Sequence, residues 1–595
     1  MTPIPHTSNV DTPILIAGAG PIGLILAYTL AHRYSVPCTI IDRYAEPTKW
    51  PKMDLTNSRT MEILRMVDPT LVEELRREGV DGKWRFDVLF ATGLGEEGEC
   101  LAKWDLDSAN EWRERIGREN DGRWTREPWL RIQQSILERV LRGRCQRHPL
   151  ITFLAPVNVD YTVFHPATEE QGAYCKTTLS SADGSSTMTS IYVIASDGAG
   201  STLRSTSTRI RSHRLPPAPP VSLVHFRSRD PTMLKYGRFW HIFLTHRGIC
   251  IAQDELDTYT VHLFHPPPNT NASEEIGSLP AEEIVRRVLK ADVRIDEILV
   301  RSVWKPNFAV ADHYSEDNLF LLGDAAHQWA PLGGYGFNTG VGDAYDLAWK
   351  LAFTIRGHAG PRLLESYEGE RLQVARMCLE RSWRHMEVHL KAWEMADRGE
   401  KEGIGAWYTA EKGENENLGV EYGWRYRDSP VISYSNEGGE QKDGNEDEDE
   451  WPWTPEAVKP STRPGCRAPH VFKKDGETSV LDDLATGFTL VRFTCVDITP
   501  LTRSASRSAR GIDVSLLSLA DEPHVRRVWG NDIVLIRPDG YVAWCGSTIP
   551  SEDECRKIWD RVLGWTEDVR VERDAGRSGW GEEVIKASEL DNGFN

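Results

Sequence analysis

The sequence predicts an α/β protein built around a Rossmann-like dinucleotide-binding unit, with a β-rich second lobe and a separate C-terminal α/β domain. Three observations predict it. An apolar run over residues 13–17 leads into Gly18-Ala19-Gly20-Pro21-Ile22-Gly23 and then into an apolar helix reaching about Arg33. Residues 210–300 change character, with prolines at 216–220 and 266–268 separating short β-type runs such as 259–264. Between residues 436 and 450 the chain becomes acidic and low in complexity, and ordered patterning returns after Trp451.

In the first unit Gly18 permits the tight turn, Gly20 lets a pyrophosphate approach the backbone, and Gly23 lets helix and strand pack closely. The helix that Pro21 and Ile22 open supplies amide donors and a positive dipole end to phosphates. A second strand over residues 38–41 ends at Asp42, where a carboxylate can accept from ribose hydroxyls, and Arg43 follows. Alternating helix and strand signals continue to about residue 210. A strand returns at 319–322, and a long helical stretch runs from about 341 to 394. The expected organisation is a dinucleotide-binding domain over 8–210 and 306–435, interrupted by a β-rich lobe at 211–305. An acidic linker at 436–455 and a C-terminal domain at 456–595 complete it; the linker cannot bury its charge.

Composition narrows the function. A chain of 595 residues is too long for one compact core. A net charge of −19, from 70 basic and 89 acidic residues, disfavours nucleic acid or an anionic membrane as partner. The apolar stretch 13–31 approaches spanning length, but its motif-spaced glycines fit a buried strand and helix better. No basic leader precedes it, so no signal peptide is expected. Ten cysteines without a CxxC pair suggest reduced thiols in a cytoplasmic protein. His385 and His389 stand one turn apart but lack the HExxH arrangement and a third ligand. They read as a solvated helix face, and no metal site is expected.

Further motifs sharpen the reading. Ile194-Ala195-Ser196-Asp197-Gly198-Ala199-Gly200-Ser201-Thr202-Leu203-Arg204 follows a strand. Leu321-Leu322-Gly323-Asp324-Ala325-Ala326-His327 precedes Pro331, Gly334, Gly336, Phe337 and Asn338. These segments resemble the DG and GD motifs of the single-component flavoprotein aromatic hydroxylases, most closely the phenol 2-monooxygenase and chlorophenol hydroxylase branch. The similarity continues through Trp349-Lys350-Leu351-Ala352 and the segment 364–371, so it spans most of residues 13–375.

The resemblance implies FAD as cofactor and NADPH or NADH as co-substrate. With O2 these would hydroxylate a small aromatic substrate through a flavin C4a-hydroperoxide. It implies that Asp324 accepts from the ribityl chain and that the 334–338 loop presents amides to the isoalloxazine. Asp197, with Gly198 and Arg204, would serve the pyrophosphate and the nicotinamide nucleotide; helix capping is the plainer alternative for both aspartates. Gln134 matches the family's flavin-contacting glutamine, and Lys52 lies in the segment lining the flavin edge. Asp54 falls where an aspartate assists phenol deprotonation, the alternative being an aspartate that only orders Lys52 and its loop. The family's lobe arginine is replaced by Gln253, and its tyrosine falls at Tyr259 or Thr260, which suggests a substrate larger than simple phenol or oriented differently. His225, Trp240 and His241 lie in the same lobe; they read as core packing, with pocket lining the alternative. No second GxGxxG opens an apolar helix, so the nicotinamide would dock on the FAD body. The segments 464–470 and 536–544 resemble the thioredoxin-like C-terminal domain of phenol hydroxylases. Cys466 stands alone there, so a scaffold or homodimer contact is expected rather than thiol chemistry. The same scaffold also supports Baeyer–Villiger insertion or epoxidation, and a flavin-binding protein without turnover is a further alternative. The Gln253 departure leans toward a biosynthetic aromatic of secondary metabolism.

Overall fold

The computed structural model describes residues 10–215, 219–265, 278–411, 417–434, 453–508, 512 and 514–566. The acidic run at 436–450 lies outside them. A parallel five-stranded core takes the spatial order Leu319–Leu321, Gly184–Ala195, Thr12–Ala17, Cys38–Ile41, Ile151–Leu154. Its central strands carry no polar alternation because both faces are covered, and Ile14, Leu15 and Ile16 have no exposed surface. The first half of Gly184–Ala195 extends past this core and pairs with the hairpin Asn158–His165/Tyr174–Ser181. The carboxyl ends of four parallel strands thus bring Gly18, Asp42, Asp197 and Asp324 to one edge of the sheet, the edge where open α/β sheets bind ligands.

The lobe is a seven-stranded sheet: Glu297–Trp304, Val221–Arg227, Thr258–Phe264, Gly248–Ala252, His241–Leu244, Val88–Ala91, Cys100–Trp104. Its last two strands come from the N-terminal part of the chain, outside 211–305. One face packs with helix Ala281–Leu289 into a core of its own that holds Val224, Phe226, Tyr259 and Val261. The other face contributes Trp240, Phe243 and Ile249 to the main core.

The expected long helical stretch is two helices, Tyr335–Ile355 and the 36-residue Arg362–Asp397. His385 and His389 are both 1% exposed, which corrects the solvated-face reading. His385 Nε2 lies 2.9 Å from the Tyr335 hydroxyl, and His389 stacks on Phe243 at 4.1 Å. The sequence around them is polar, but both histidines lie on the buried face of an amphipathic helix whose other face carries exposed ion pairs such as Arg384–Glu387.

The C-terminal domain runs strand, helix, strand, helix, strand, strand, helix over Thr489–Arg492 to Glu552–Val562. Its four strands take the order Ser515–Ser518, Thr489–Arg492, Ile533–Ile536, Val542–Gly546, with only the first pair parallel, which is the thioredoxin-like arrangement. Cys466 is buried, and burial pushes its thiol up to about 11, so it is not a reactive thiolate.

Two buried ionic clusters fasten this domain to the body. Arg537 donates to both Glu370 oxygens at 2.6 and 2.8 Å, to Asp346 at 3.2 Å and to Asp539 at 2.5 Å. Lys350 donates to Asp346 and Glu370, each at 2.8 Å. Three carboxylates face two cations, so the cluster favours holding a proton. Burial pushes Asp346 up to about 8, while Arg537 and Lys350 keep Glu370 well below its ordinary value. In the second cluster Arg467 grips Glu62 through two 2.7 Å bonds, and Arg59 adds a third at 2.7 Å.

Removing one partner from such a pair leaves an uncompensated buried charge, so Arg537→Met is expected to destabilise the protein by about 3–5 kcal/mol, read as a lower urea midpoint. Burial alone would raise Glu62, but Arg467 and Arg59 hold it down to about 2 from the ordinary 4.5. Its stabilising contribution is therefore complete above 4.5 and lost as the pH falls through about 2. Glu62→Gln is expected to flatten the acid limb of a stability-against-pH curve over that window.

Candidate active site

At the phosphate end, Gly18 has φ +101°, and a Cβ there would collide with the Ser196 carbonyl. A Cβ on Gly23 would strike the Gly18 carbonyl. Gly20 is different: a Cβ there meets nothing within 4 Å, and the same holds at Gly198 and Gly200. Space is thus kept open in front of the backbone between these turns. Helix Pro21–Tyr28 begins at Gly20 with Pro21 in its first turn, no side-chain cap and no acidic residue. Its first amides are left to a ligand. Ile22 packs instead against Gly323 and Gly340, joining this turn to the GD segment.

Asp42 accepts from the Ala19 amide at 2.6 Å and the Tyr44 amide at 2.7 Å, which fixes the turn as well as facing the sheet edge. Arg43 is exposed, its guanidinium 5.1 Å from the Tyr44 ring. Asp197 caps its helix through the Leu203 amide at 3.1 Å, yet its Oδ1 is buried without a partner. A buried orphan oxygen beside two open glycines marks a missing donor. Arg204 bonds the Ala325 carbonyl, so it ties the DG and GD segments together.

At the other end of the cleft, Asp324 is exposed although protein surrounds it closely, and burial raises its carboxyl against the pull of His327 and Lys52. An exposed side chain at such depth lines an open cleft. Lys52 is exposed and exerts its field on Asp324 and Glu138 alike. Gln134 is buried and donates to Glu138 at 2.6 Å. Beyond exposed Pro331, Gly333 and Gly334 take positive φ, and helix Tyr335–Ile355 starts without a side-chain cap. The amides of Gly336 and half-buried Phe337 thus lack intrahelical partners. The Asn338 side chain is committed: it accepts from the Asn57 amide at 2.9 Å and donates to the carbonyls of Leu55 and Gly334. Its place in the site is to lock the 334–338 loop to the segment after Asp54. His327 pairs with Asp343 at 2.7 Å in full burial, and Arg371 holds the other Asp343 oxygen at 2.7 Å.

Asp54 sits where the body meets the lobe. Its carbonyl accepts from the Ile132 amide at 2.9 Å. Its Oδ2 accepts from the Trp240 indole at 2.6 Å and lies 3.7 Å from His241 Nε2. Burial would raise the carboxyl, but His241, Trp240 and Arg131 together hold it below its ordinary value, so it stays ionised. Trp240 and His241 are therefore more than core packing. Arg131 was missed as a site residue; it is 1% exposed in its side chain, pairs with Glu255 and donates to the Ala252 carbonyl at 2.5 Å, pinning the lobe to the body. No local pattern announces these partners: Trp240 lies 186 residues from Asp54, and Glu255 lies 124 from Arg131.

Within the lobe, Gln253 donates to Thr260 at 3.1 Å, His225 Nδ1 lies 3.0 Å from the same hydroxyl, and Gln253 Oε1 is buried without a partner. The Tyr259 placement is corrected. Its side chain packs on the far face of the sheet near Phe226 and Phe239, with ring centroids 5.9 and 6.2 Å apart. Strand alternation turns Thr260 and His262 toward Asp54 instead.

Open glycines, an orphan carboxylate oxygen and two uncapped helix starts along one sheet edge mark a dinucleotide-binding cleft, and the residues present fit FAD. The FAD binding domain family matches residues 11–382, and the aromatic-ring hydroxylase C-terminal family matches residues 461–565. The chain belongs to this family of FAD-dependent aromatic-ring hydroxylases and is a flavin monooxygenase. It is 37% identical to an FAD-dependent monooxygenase of Emericella nidulans over 94% of this chain and 92% of that one. It is 29% identical to the aklavinone 12-hydroxylase of Streptomyces peucetius, covering 78% and 88% of the two chains. Among solved structures, the rebeccamycin biosynthetic enzyme RebC with reduced flavin superposes with a TM-score of 0.76 at 27% identity, over 94% of this chain and 99% of that one. Among the described residues, no helix is long and apolar enough to cross a membrane.

Gly20 has φ −69° and ψ 175°, which any residue adopts. Gly20→Val is therefore expected to fold with unchanged thermal stability as apoprotein, yet bind FAD at least about tenfold more weakly, about 1.4 kcal/mol. Flavin absorbance per protein after dialysis checks it.

Proposed function

We propose that the protein hydroxylates a phenolic, polycyclic aromatic compound of biosynthetic origin, using NAD(P)H and O2. The observation that carries this is Asp54, a carboxylate kept ionised at the junction of flavin body and lobe. A phenolate is a far better nucleophile at its ring carbons than a phenol, so an ionised carboxylate that draws the hydroxyl proton toward this junction, directly or through a neighbouring group, favours the reactive form. Relatives named as aklavinone 12-hydroxylases and a phenol 2-monooxygenase support an aromatic substrate. Gln253 in place of the family's arginine supports a substrate larger than simple phenol or oriented differently.

FAD, when bound, supplies the reducing equivalents that activate O2. Gly18, Gly20, Gly23 and the helix start at Pro21 would hold its pyrophosphate, with Asp197, Gly198 and Arg204 closing from the side. Asp42 and Arg43 would meet the adenosine ribose, and Asp324 the ribityl hydroxyls. Lys52, Gln134 and the Pro331–Asn338 loop, with Gly334, Gly336 and Phe337, would border the ring system. The chain's own work is to orient the aromatic ring, hold its hydroxyl proton near Asp54 and keep water out. The nicotinamide nucleotide would dock on the same body. Homodimerisation through the C-terminal domain and residence in the cytoplasm complete the proposal, the latter supported by ten free cysteines.

Aerobic NADPH consumption by the FAD-loaded protein, with a panel of phenols and aromatic polyketides, is expected to rise with one compound whose mass gains one oxygen. A lactone or epoxide product would move the reading to Baeyer–Villiger insertion or epoxidation. Oxidation indifferent to every aromatic would overturn it. Asp54→Asn is expected to lower kcat/KM by about 10²-fold or more with flavin content unchanged.

A further inference from the structure

The carboxylate of Asp54 does not stand alone, and its surroundings divide the labour of proton transfer. Trp240 Nε1 saturates one side of Oδ2 at 2.6 Å, and the His241 ring, stacked on Trp240 at 4.1 Å, brings Nε2 to 3.7 Å from the same oxygen. His241 Nε2 is buried and has no hydrogen-bond partner, while the side chain as a whole is 18% exposed. Nδ1 has no hydrogen-bond partner among the described residues and is not a buried orphan atom, so it lies on the accessible side of the ring. The tautomer with its hydrogen on Nε2, toward the carboxylate, would leave the Nδ1 lone pair on that accessible side. Asp54 is a poor acceptor for the converse reason: Trp240, His241 and Arg131 all favour its ionised form.

We propose that His241 is the group that accepts the substrate's hydroxyl proton, with Asp54 as its counter-ion; this rests on the phenolic reading above. The O–H bond breaks, its electron pair stays on oxygen as phenolate, and the proton goes to His241 Nδ1. The resulting imidazolium is balanced by Asp54, so the phenolate keeps a cation beside it. The other ionisable groups facing the pair fit this arrangement. His262 approaches from the neighbouring part of the lobe sheet, and burial and the nearness of His241 hold it down to about 4, so it stays neutral. Arg131 approaches from the body side, with its charge already matched by Glu255. Orientation of a histidine by a buried carboxylate is a general means of fixing its tautomer and stabilising its charged form.

The test uses 4-nitrophenol, whose phenolate is yellow, added to FAD-loaded protein at an acidic pH where the free probe is colourless. Binding is followed separately by quenching of flavin fluorescence. The unaltered protein is expected to bind the probe and raise a phenolate band in the difference spectrum. His241→Gln, and His241→Asn as a second variant, are expected to bind it with a phenolate yield at least about tenfold lower. Asp54→Asn is expected to lose the band too, and the double variant to be no worse than either single one. A phenolate band of unchanged size in both histidine variants would overturn the proposal and leave the phenolic reading intact. No binding and no band in the unaltered protein, with the probe and with every phenol of the panel, would overturn both.

Discussion

The Arg537 side chain has no exposed surface, and its charge is matched by three buried carboxylates. Its partners come from both sides of the domain boundary: Asp346 and Glu370 from the two long helices of the body, Asp539 from its own turn. A guanidinium this deep is tolerable only with its donors paired, so the C-terminal domain has one seating and the two helices one mutual register. One residue along from Glu370, Arg371 holds Asp343, and Asp343 holds His327, three residues after Asp324. The cleft edge and the domain boundary are thus parts of one buried polar system.

The second cluster acts on the opposite wall. Glu62 lies on helix Ser58–Val67, whose cap Asn57 follows the Asp54 segment and contacts Asn338. Arg467 reaches Glu62 from the C-terminal domain. Both walls of the cleft, the Asp54 segment and the 334–338 loop, are therefore backed by charges from the same thioredoxin-like unit. That gives a unit without a reactive thiol pair a plain mechanical task.

What the sequence disclosed follows from how local each signal is. The turn at Gly18 to Gly23, the helix cap at Asp197 and the GD turn are short-range features, and their chemistry is written in consecutive residues. The parallel core follows the same logic, since runs of Val, Ile and Leu mark buried strands wherever they fall, whereas the thioredoxin-like domain was legible only by resemblance. Asp54 was legible only by resemblance, and its partners not at all. Trp240 and His241 meet it through a sheet whose register depends on pairing His241 with Val88, far away in the chain. The same distance misled the reading of His385 and His389, because a polar helix looks solvated until its neighbours are known. Tyr259 against Thr260 was a one-residue matter, and a single step along a strand reverses the face.

The borrowing of Val88–Ala91 and Cys100–Trp104 by the lobe sheet has a consequence for anyone who would recombine this enzyme with its relatives. A chimaera that exchanged residues 211–305 alone would ask a foreign sheet to knit, by backbone hydrogen bonds, onto two strands left behind in the host. The chain enters and leaves the lobe twice, so it is sewn in rather than hinged on. The natural unit of exchange is the pair of segments together, and specificity is inherited through both threads at once.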